Sequence, residues 1–572
     1  MKTCKKFFAA LAFAFLAFQP LFSQERELHI VTTGDVHGSW FDRPYVDGGT
    51  SKTSLMSVKV YVDSLRSAVG ADNVLLLDAG DCLQGDNAAY YYNYVRTDVP
   101  HLFPRIVKYM GYDAVTVGNH DVETAHPVYD RVYSELTQAG IPWLGGNALR
   151  VCDGKPYFPV YKLFDRAGMK VAVLGFTNPN MKAWLSEPVW RGIEFVSLIP
   201  FVQQCVDEVR EECRPDAVVV LVHSGTGEGN GESLESQGLD LLASLKGADL
   251  IVTSHDHRPF VAENGSCVLV NGGARAGNVT HSVIALSGSD GKSVHGQTVR
   301  MDKRKVSEEM GREFASEFEE VKAFTNRKVG HLAMEMRTRD AYSGMSDYIN
   351  LVHTVQISVP EAQISFAAPL TFDGTVRQGD LIYNDMFTIY PYENQLFVLR
   401  LKGSEIKNYL EASYDSWIVT PGKHVLNIRE GADARTGTSR WAFVNRSYNF
   451  DSASGLVYTV DVTKKRGSRV KIASLADGTP FDMDAFYNVS MTSYRANGGG
   501  GLLAAAGLSK EDADNRVIAR YPEIRDMVYE FVRSHAEVTS ELVGDPELIG
   551  EWHFVPEKKV APLMKADLGL IF

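Results

Sequence analysis

The chain of 572 residues carries 58 Lys and Arg against 71 Asp and Glu, a formal net charge of −13. Such a length accommodates two domains of roughly 250 residues each. The acidic balance argues against a nucleic-acid polymer as partner, which would call for a basic face. Small phosphorylated molecules stay within reach if a metal ion neutralises their charge locally.

The N-terminus reads as a targeting segment. Lys2, Lys5 and Lys6 precede an apolar run from Phe7 to Phe18, and Pro20 to Gln24 offers a cleavage site after Ser23. Residues 1–23 are expected to be a signal peptide, and losing their three lysines takes the net charge from −13 to −16. The apolar run is shorter than the ~20 residues of a spanning helix, and no later stretch is long and apolar enough to cross a membrane. Cys4 lies before the apolar core, which is not a lipid-anchor arrangement. A periplasmic or secreted protein is expected. Cys82, Cys152, Cys205, Cys213 and Cys267 are widely spaced and odd in number. That favours free thiols over a disulfide framework or a zinc knuckle, with one disulfide open in an oxidising compartment.

From Leu28 to Met301, short runs rich in Val, Leu and Ile alternate with helical spacing. The runs are Leu28–Thr33, Val74–Asp78, Ala114–Val117, Val171–Phe176, Ala217–His223, Leu250–Ser254 and Cys267–Asn271. They predict strands covered on both faces, and helical patterns such as Leu55–Val69 and Leu198–Glu212 lie between them. The alternation predicts a layered α/β domain over residues 24–301. Charges then crowd 302–332, from Lys303 to Lys322, and predict a solvated connecting helix. A second, more mixed region is expected at 333–542, with helical Ser346–Val355, extended Gln395–Leu401 and Val457–Val462, and the glycine run Gly498–Gly501. A tail over 543–572 ends in an apolar stretch that packs back onto the body.

Five of the strand ends carry unusual chemistry. They finish in Gly34-Asp35-Val36-His37, Ala79-Gly80-Asp81, Gly118-Asn119-His120-Asp121, His223-Ser224-Gly225 and Ser254-His255-Asp256-His257. An Asp or Asn after a strand is ordinarily a turn former, and a lone His is ordinarily a satisfied core or surface residue. Turns need no histidine, however, and five turns need not share one sheet edge, which is where α/β sheets bind ligands. Imidazoles mixed with carboxylates and no thiolates suit zinc, manganese or iron. The number of donors is enough for two ions.

As an ordered set, DxH, GD, GNHD, a strand-end His and HxH resemble the binuclear metallophosphoesterase (calcineurin-like) superfamily. The resemblance implies two β-sheets flanked by helices around two divalent ions, Zn, Mn, Fe or Co. By it, Asp35, His37 and His257 would hold one ion, and Asn119, His223 and His255 the other, with Asp81 bridging. His120 would donate a proton to the leaving oxygen. Ser254 stands where the family usually has Gly, and Glu123 stands where relatives acting on 5′-nucleotides often place an Asp that forms a dyad with the catalytic His.

In the second region, Asp385 to Asn394 followed by Leu399–Leu410 is similar to the C-terminal domain of periplasmic 5′-nucleotidases and 2′,3′-cyclic-nucleotide 2′-phosphodiesterase/3′-nucleotidases. An α+β nucleotidase C-terminal domain is implied. Ser447–Asp451 and Thr492–Gly501 resemble the base-binding loops of the cyclic-nucleotide group, and Ser365–Leu370 its AAP segment, where 5′-nucleotidases typically place an arginine. Carried over, Tyr448 and Tyr494 would stack on the base, with Phe450 as the substitute for Tyr448. On spacing alone these aromatics read as ordinary core or rim residues. The implied function is hydrolysis of 2′,3′-cyclic nucleotides and 3′-nucleotides to nucleoside and phosphate. A 5′-nucleotidase or nucleotide-sugar hydrolase is the alternative on the same scaffold, and a non-catalytic nucleotide-binding surface protein the alternative of another class.

Overall fold

A computed structural model describes residues 26–46, 49–185, 187–287, 291–392, 394–432 and 439–572. The expected signal peptide lies outside them. Two six-stranded sheets form the first domain. One runs in the order Gly291–Arg300, Asn278–Ser287, Arg26–Thr33, Val74–Asp78, Ala114–Thr116, Trp143–Leu144. The other runs Phe260–Asn264, Cys267–Asn271, Leu250–Thr253, Ala217–Val222, Met169–Phe176, Tyr161–Arg166.

Side-chain alternation explains how the sheets meet. Leu28, Ile30, Leu75 and Leu77 from one sheet share a core with Val171, Val173, Val219, Leu221, Leu250 and Val252 from the other. The intervening Val31, Val74 and Leu76 point outward to a cluster with the helix Leu55–Val69. Val218, Val220 and Val222 do the same toward the helix Leu198–Cys213. Both faces of each central strand are therefore apolar, which is why the runs lack polar alternation. The central strands of each sheet run parallel. Parallel strands end at a common edge, so the loops after Thr33, Asp78 and Thr116 emerge together, as do those after Val222 and Thr253.

The segment 302–332 departs from the single solvated helix expected of it. It forms two helices, Glu308–Glu313 and Ala315–Thr325, and then the strand Lys328–Leu332, which pairs with Gly379–Ile382. Met310, Phe314, Phe318 and Val321 recur at helical spacing among the charges, and this stripe is buried in the first domain's outer core. The second domain holds a five-stranded sheet in the order Ser452–Ser454, Ile364–Ala367, Phe486–Thr492, Gln395–Lys402, Val517–Glu523, and a three-stranded one. The tail belongs to it: Gly550–Val555 pairs in parallel with Leu456–Asp461, and the helix Glu557–Ile571 buries Val560 and Met564. Among the described residues the five cysteines are free, with Cys82, Cys205 and Cys267 buried and Cys152 exposed. No described helix is long and apolar enough to cross a membrane.

The two domains meet at an aromatic seam. Tyr90 donates its hydroxyl to Asp526 at 2.9 Å. The buried Arg525 guanidinium lies 4.7 Å from the Tyr90 ring and 4.4 Å from that of Phe387. Closer to the strand ends, Asn497 of the second domain donates to the carbonyl of Trp184 at 3.0 Å.

Candidate metal centre

The loops at the strand ends are bonded to one another before any side chain is considered. Asp35 N–H donates to Gly80 O at 2.8 Å and His37 N–H to Asp81 O at 2.9 Å. His255 N–H donates to Asp35 Oδ2 at 2.7 Å. Asp35, His37, Asp81, His255 and His257 all hold left-handed backbone, with φ of 49°, 49°, 62°, 72° and 58°. Non-glycine residues seldom adopt this conformation, and five in one place mark a site where surrounding structure holds strained turns open. The approach between loops is close: a Cβ on Gly118 would fall 2.1 Å from Asp81 Oδ1.

Their side chains converge in two groups, Asp35 with His37 and His257, and Asp81 with His223 and His255. In the first, His37 Nε2 lies 2.9 Å from His257 Nε2, and Asp35 Oδ1 is 4.0 and 3.7 Å from these atoms. Asp35 Oδ1 is buried without a hydrogen-bond partner. In the second, His223 Nε2 is 3.1 Å from Asp81 Oδ2 and 3.0 Å from Asn119 Oδ1, which is 2.8 Å from His255 Nδ1. The outward nitrogens are engaged elsewhere. His37 Nδ1 donates to Gln84 O at 3.1 Å, His223 Nδ1 to Ala79 O at 2.8 Å, and His255 Nε2 to Glu235 Oε1 at 3.1 Å. Each such bond fixes a tautomer whose lone pair points inward, the usual support for a metal-ligating imidazole. An orphaned carboxylate oxygen facing two imidazole nitrogens fits a divalent cation.

Protonation reflects the same crowding. Burial pushes the Asp35 carboxyl well up and His37 well down, and it brings His257 down to about 4. Burial also lowers His223, but the Asp81 carboxylate more than reverses this and carries it to about 9. For Asp81, burial raises the carboxyl while the charges on His223 and His120 outweigh it, leaving it well below its usual range. A cation taking these donor atoms would displace their protons.

Beside the two groups, His120 Nδ1 meets Glu123 Oε2 at 2.6 Å, three residues along one short helix, Asn119–Glu123. Gln84 Nε2 donates to the same oxygen at 3.1 Å. The longer Glu thus reaches the histidine where an Asp was the familiar residue. Ser254 also differs from the familiar Gly, and its hydroxyl donates to Ala79 O at 2.8 Å beside His223. Three contributors escaped the sequence reading of the site. Asp121 accepts N–H groups from Asp81, Cys82, Leu83 and Gly118. Its signal was present, since it completes GNHD. Trp184 stacks on His255 at 5.2 Å and 21°, and Glu235 caps the same ring. Neither sits at a strand end, so no pattern pointed to them. A cavity of about 650 Å³ adjoins Glu123 and Trp184 and is walled from the second domain by Gln395, Ser493 and Glu523.

The tyrosine loops are tied together by Arg495. Its buried guanidinium donates to Asp451 at 2.7 Å, to Asn449 Oδ1 at 2.8 Å, and to the carbonyls of Tyr448 and Gly499 at 2.7 and 3.0 Å. A Cβ on Gly499 would meet the Tyr494 ring at 2.4 Å, so glycine is needed there. Tyr448 and Tyr494 are both half-buried. Burial raises the Tyr494 phenol to about 12, and charges on Tyr448 and on Glu235 of the first domain also bear on it. Phe450 is placed differently from the expected substrate contact. It is fully buried, stacked on Trp417 at 5.4 Å and edge-on to Phe443 at 5.2 Å, and it can reach no ligand. Beyond the turn Ser447–Asn449 the chain leaves Tyr448 half-buried and directs Phe450 into the core.

Comparison with known proteins agrees with this geometry. Residues 28–259 match the calcineurin-like phosphoesterase model and residues 327–507 the 5′-nucleotidase C-terminal domain. The chain is 22% identical over 543 residues to the 2′,3′-cyclic-nucleotide 2′-phosphodiesterase/3′-nucleotidase of Salmonella typhimurium, covering 83% of this chain and 82% of that one. It is 23% identical to the trifunctional nucleotide phosphoesterase protein YfkN of Bacillus subtilis, where it covers 83% of itself but spans only 36% of that relative. Its fold superposes on a 5′-nucleotidase precursor from Thermus thermophilus with a TM-score of 0.62 at 20% identity, covering 93% and 100% of the two chains. Residues 28–259 thus belong to the calcineurin-like phosphoesterases and residues 327–507 to the 5′-nucleotidase C-terminal domains, and their succession in one chain is that of a metallophosphoesterase hydrolase.

Proposed function

We propose that this protein is an exported phosphoesterase that hydrolyses 2′,3′-cyclic nucleotides and 3′-nucleotides to nucleoside and phosphate. The observation that carries the reading is the pairing of two donor clusters with Tyr448 and Tyr494 on adjoining loops, Tyr494 lying within electrostatic reach of Glu235 beside those clusters. Asp35, His37 and His257 would hold one divalent ion, and Asn119, His223 and His255 the other, with Asp81 between them. When bound, such a pair supplies Lewis-acid charge and an activated water for in-line displacement at phosphorus. The chain's own residues do the rest. Glu123 accepts from His120 Nδ1, which orients the ring so that Nε2 is the nitrogen giving a proton to the departing ribose oxygen. Tyr448 and Tyr494 grip the base by stacking, an interaction of about 1–3 kcal/mol per base. Substrate would lie at the domain junction, where binding sites commonly form. Export rests on the character of residues 1–23 alone, and a mature N-terminus beginning after Ser23 in a periplasmic fraction tests it.

A 5′-nucleotidase on the same scaffold is the second reading. The His120–Glu123 pair at 2.6 Å favours it, because such a dyad is the pattern noted for relatives acting on 5′-nucleotides. Supplying 2′,3′-cyclic AMP, 3′-AMP and 5′-AMP separately with Mn²⁺ or Zn²⁺ separates the two. Dominant turnover of 5′-AMP rejects the first, and no phosphate release from any of them rejects both.

A further inference from the structure

The turn 272–277 carries the chain from Cys267–Asn271 in one sheet to Asn278–Ser287 in the other. In crossing, it passes the edge where the donor clusters lie. Arg275 N–H donates to Asp35 O at 2.8 Å, so this residue is bonded to the loop that bears two of the candidate ligands. Arg275 and Ala276 are both left-handed, with φ of 54° and 50°. That repeats the backbone conformation of the residues around the clusters.

The guanidinium lies against the site. Its Nη1 donates to Gly85 O at 3.2 Å. A Cβ placed on Gly85 would be 3.0 Å from His37 Cβ and 3.5 Å from Arg275 Nη2, so His37 and the guanidinium both close on the space beside one glycine. The guanidinium charge also reaches Tyr392 of the second domain. Burial and the neighbouring Tyr448 raise its phenol, and the charges on Arg275 and Arg446 oppose them. Arg275 is therefore within electrostatic reach both of His37 and His257 in the donor clusters and of Tyr392 in the second domain. It is exposed, and among the described residues the bond to Gly85 O leaves most of its five N–H donors without a protein acceptor. Among the described residues it forms no ion pair, and unlike Arg191, Arg304 and Arg533, which face carboxylates in the open, it stands beside the donor clusters. In a chain of net charge −13 an uncompensated guanidinium at this position calls for an anion from outside.

We propose that Arg275 binds a non-bridging oxygen of the substrate's phosphate, supplying from the first domain the forked donor pair that a dianionic ester favours. The assignment rests on the phosphoesterase reading above. It makes Arg275 a determinant of preference for 3′-nucleotides, whose phosphate is a dianion, relative to 2′,3′-cyclic nucleotides, whose phosphate is a monoanion.

The test uses the full metal-loaded chain, with p-nitrophenyl phosphate as substrate and inorganic phosphate as competitive inhibitor. Arg275→Gln is expected to weaken phosphate inhibition roughly tenfold or more, the loss typical of one charge-assisted hydrogen-bond pair. KM for 3′-AMP should rise by a similar factor, and by less for 2′,3′-cyclic AMP, with metal content per chain unchanged. Arg275→Lys keeps the charge without the fork and should fall between wild type and Arg275→Gln. Unchanged phosphate inhibition in Arg275→Gln overturns the proposal, as does loss of metal in that variant, which would make the residue structural. If the wild type cleaves p-nitrophenyl phosphate but no nucleotide, the nucleotide reading fails, and the phosphate inhibition still decides on Arg275.

Discussion

Replacing Asp121 by Asn should dismantle the loop that carries Asp81. The carboxylate is 1% exposed and serves four backbone donors. Oδ2 accepts from Asp81 at 3.0 Å and Gly118 at 2.8 Å, and Oδ1 accepts from Cys82 and Leu83, each at 2.9 Å. Asparagine keeps one oxygen and turns the other into an NH₂. Two of the four backbone N–H groups would then face a donor in a site closed to water. Each buried, unpaired donor costs about 1–3 kcal/mol, so the pair costs about 2–6 kcal/mol. A loss of that size is a large part of the ~5–15 kcal/mol that typically separates folded from unfolded chains. Because Asp81 Oδ1 also accepts the His120 N–H at 2.8 Å, displacement of the loop moves the histidine as well. Urea unfolding and metal content per chain, measured together, check this. Unfolding free energy within about 1 kcal/mol of wild type, with a full metal complement, would show that the loop does not depend on the Asp121 carboxylate.

Phe450 and Tyr448 should separate cleanly. Phe450→Ala empties a stacked core position and should cost about 3–5 kcal/mol, seen as a lower urea midpoint. Tyr448→Ala, half-buried, should cost little stability and raise KM for 3′-AMP about tenfold, given about 1–3 kcal/mol of stacking; the reverse pattern would contradict both placements. His353 gives a pH signature. It is buried between the hydroxyls of Ser365 and Ser452, each at 3.0 Å, and burial pushes it down to about 3. Between that value and the ~6.5 of an unfolded histidine, the unfolded chain binds the extra proton. Stability is therefore lost as pH falls below about 6.5, by about 1.4 kcal/mol per unit. His353→Gln should reduce the fall in unfolding free energy between pH 7 and pH 5 by about 2 kcal/mol, and parallel pH profiles for the two proteins would count against it.

The first domain was legible because its strands are short, doubly buried and therefore nearly pure Val, Leu and Ile, as in Val74–Asp78 and Ala217–Val222. A polar ending on such a strand stands out at once, and the groups formed by Asp35, His37, Asp81, His223, His255 and His257 lie where those endings meet. The antiparallel strand Gly291–Arg300 carries an exposed face and left no such trace. The segment 302–332 misled for a related reason: its apolar stripe is spaced over several turns and diluted by charges, so composition hid what periodicity would have revealed. Trp184 and Glu235 approach His255 from a helix and a loop remote in sequence, and only tertiary packing brings them there. Phe450 shows the limit at residue level. The phase of a tight turn decides whether an aromatic stays half-exposed, as Tyr448 does, or enters the core, as Phe450 does, and sequence alone does not fix that phase.

Everything proposed for this chain depends on two divalent ions at the joined strand ends, which elemental analysis of the purified protein counts. Two ions per chain are expected in the wild type, at most one lost in Asn119→Ala, and more than one lost in Asp81→Ala, because Asp81 would serve both. Fewer than one ion per wild-type chain after incubation with Mn²⁺ or Zn²⁺, or full occupancy retained in Asp81→Ala, would rule the paired site out.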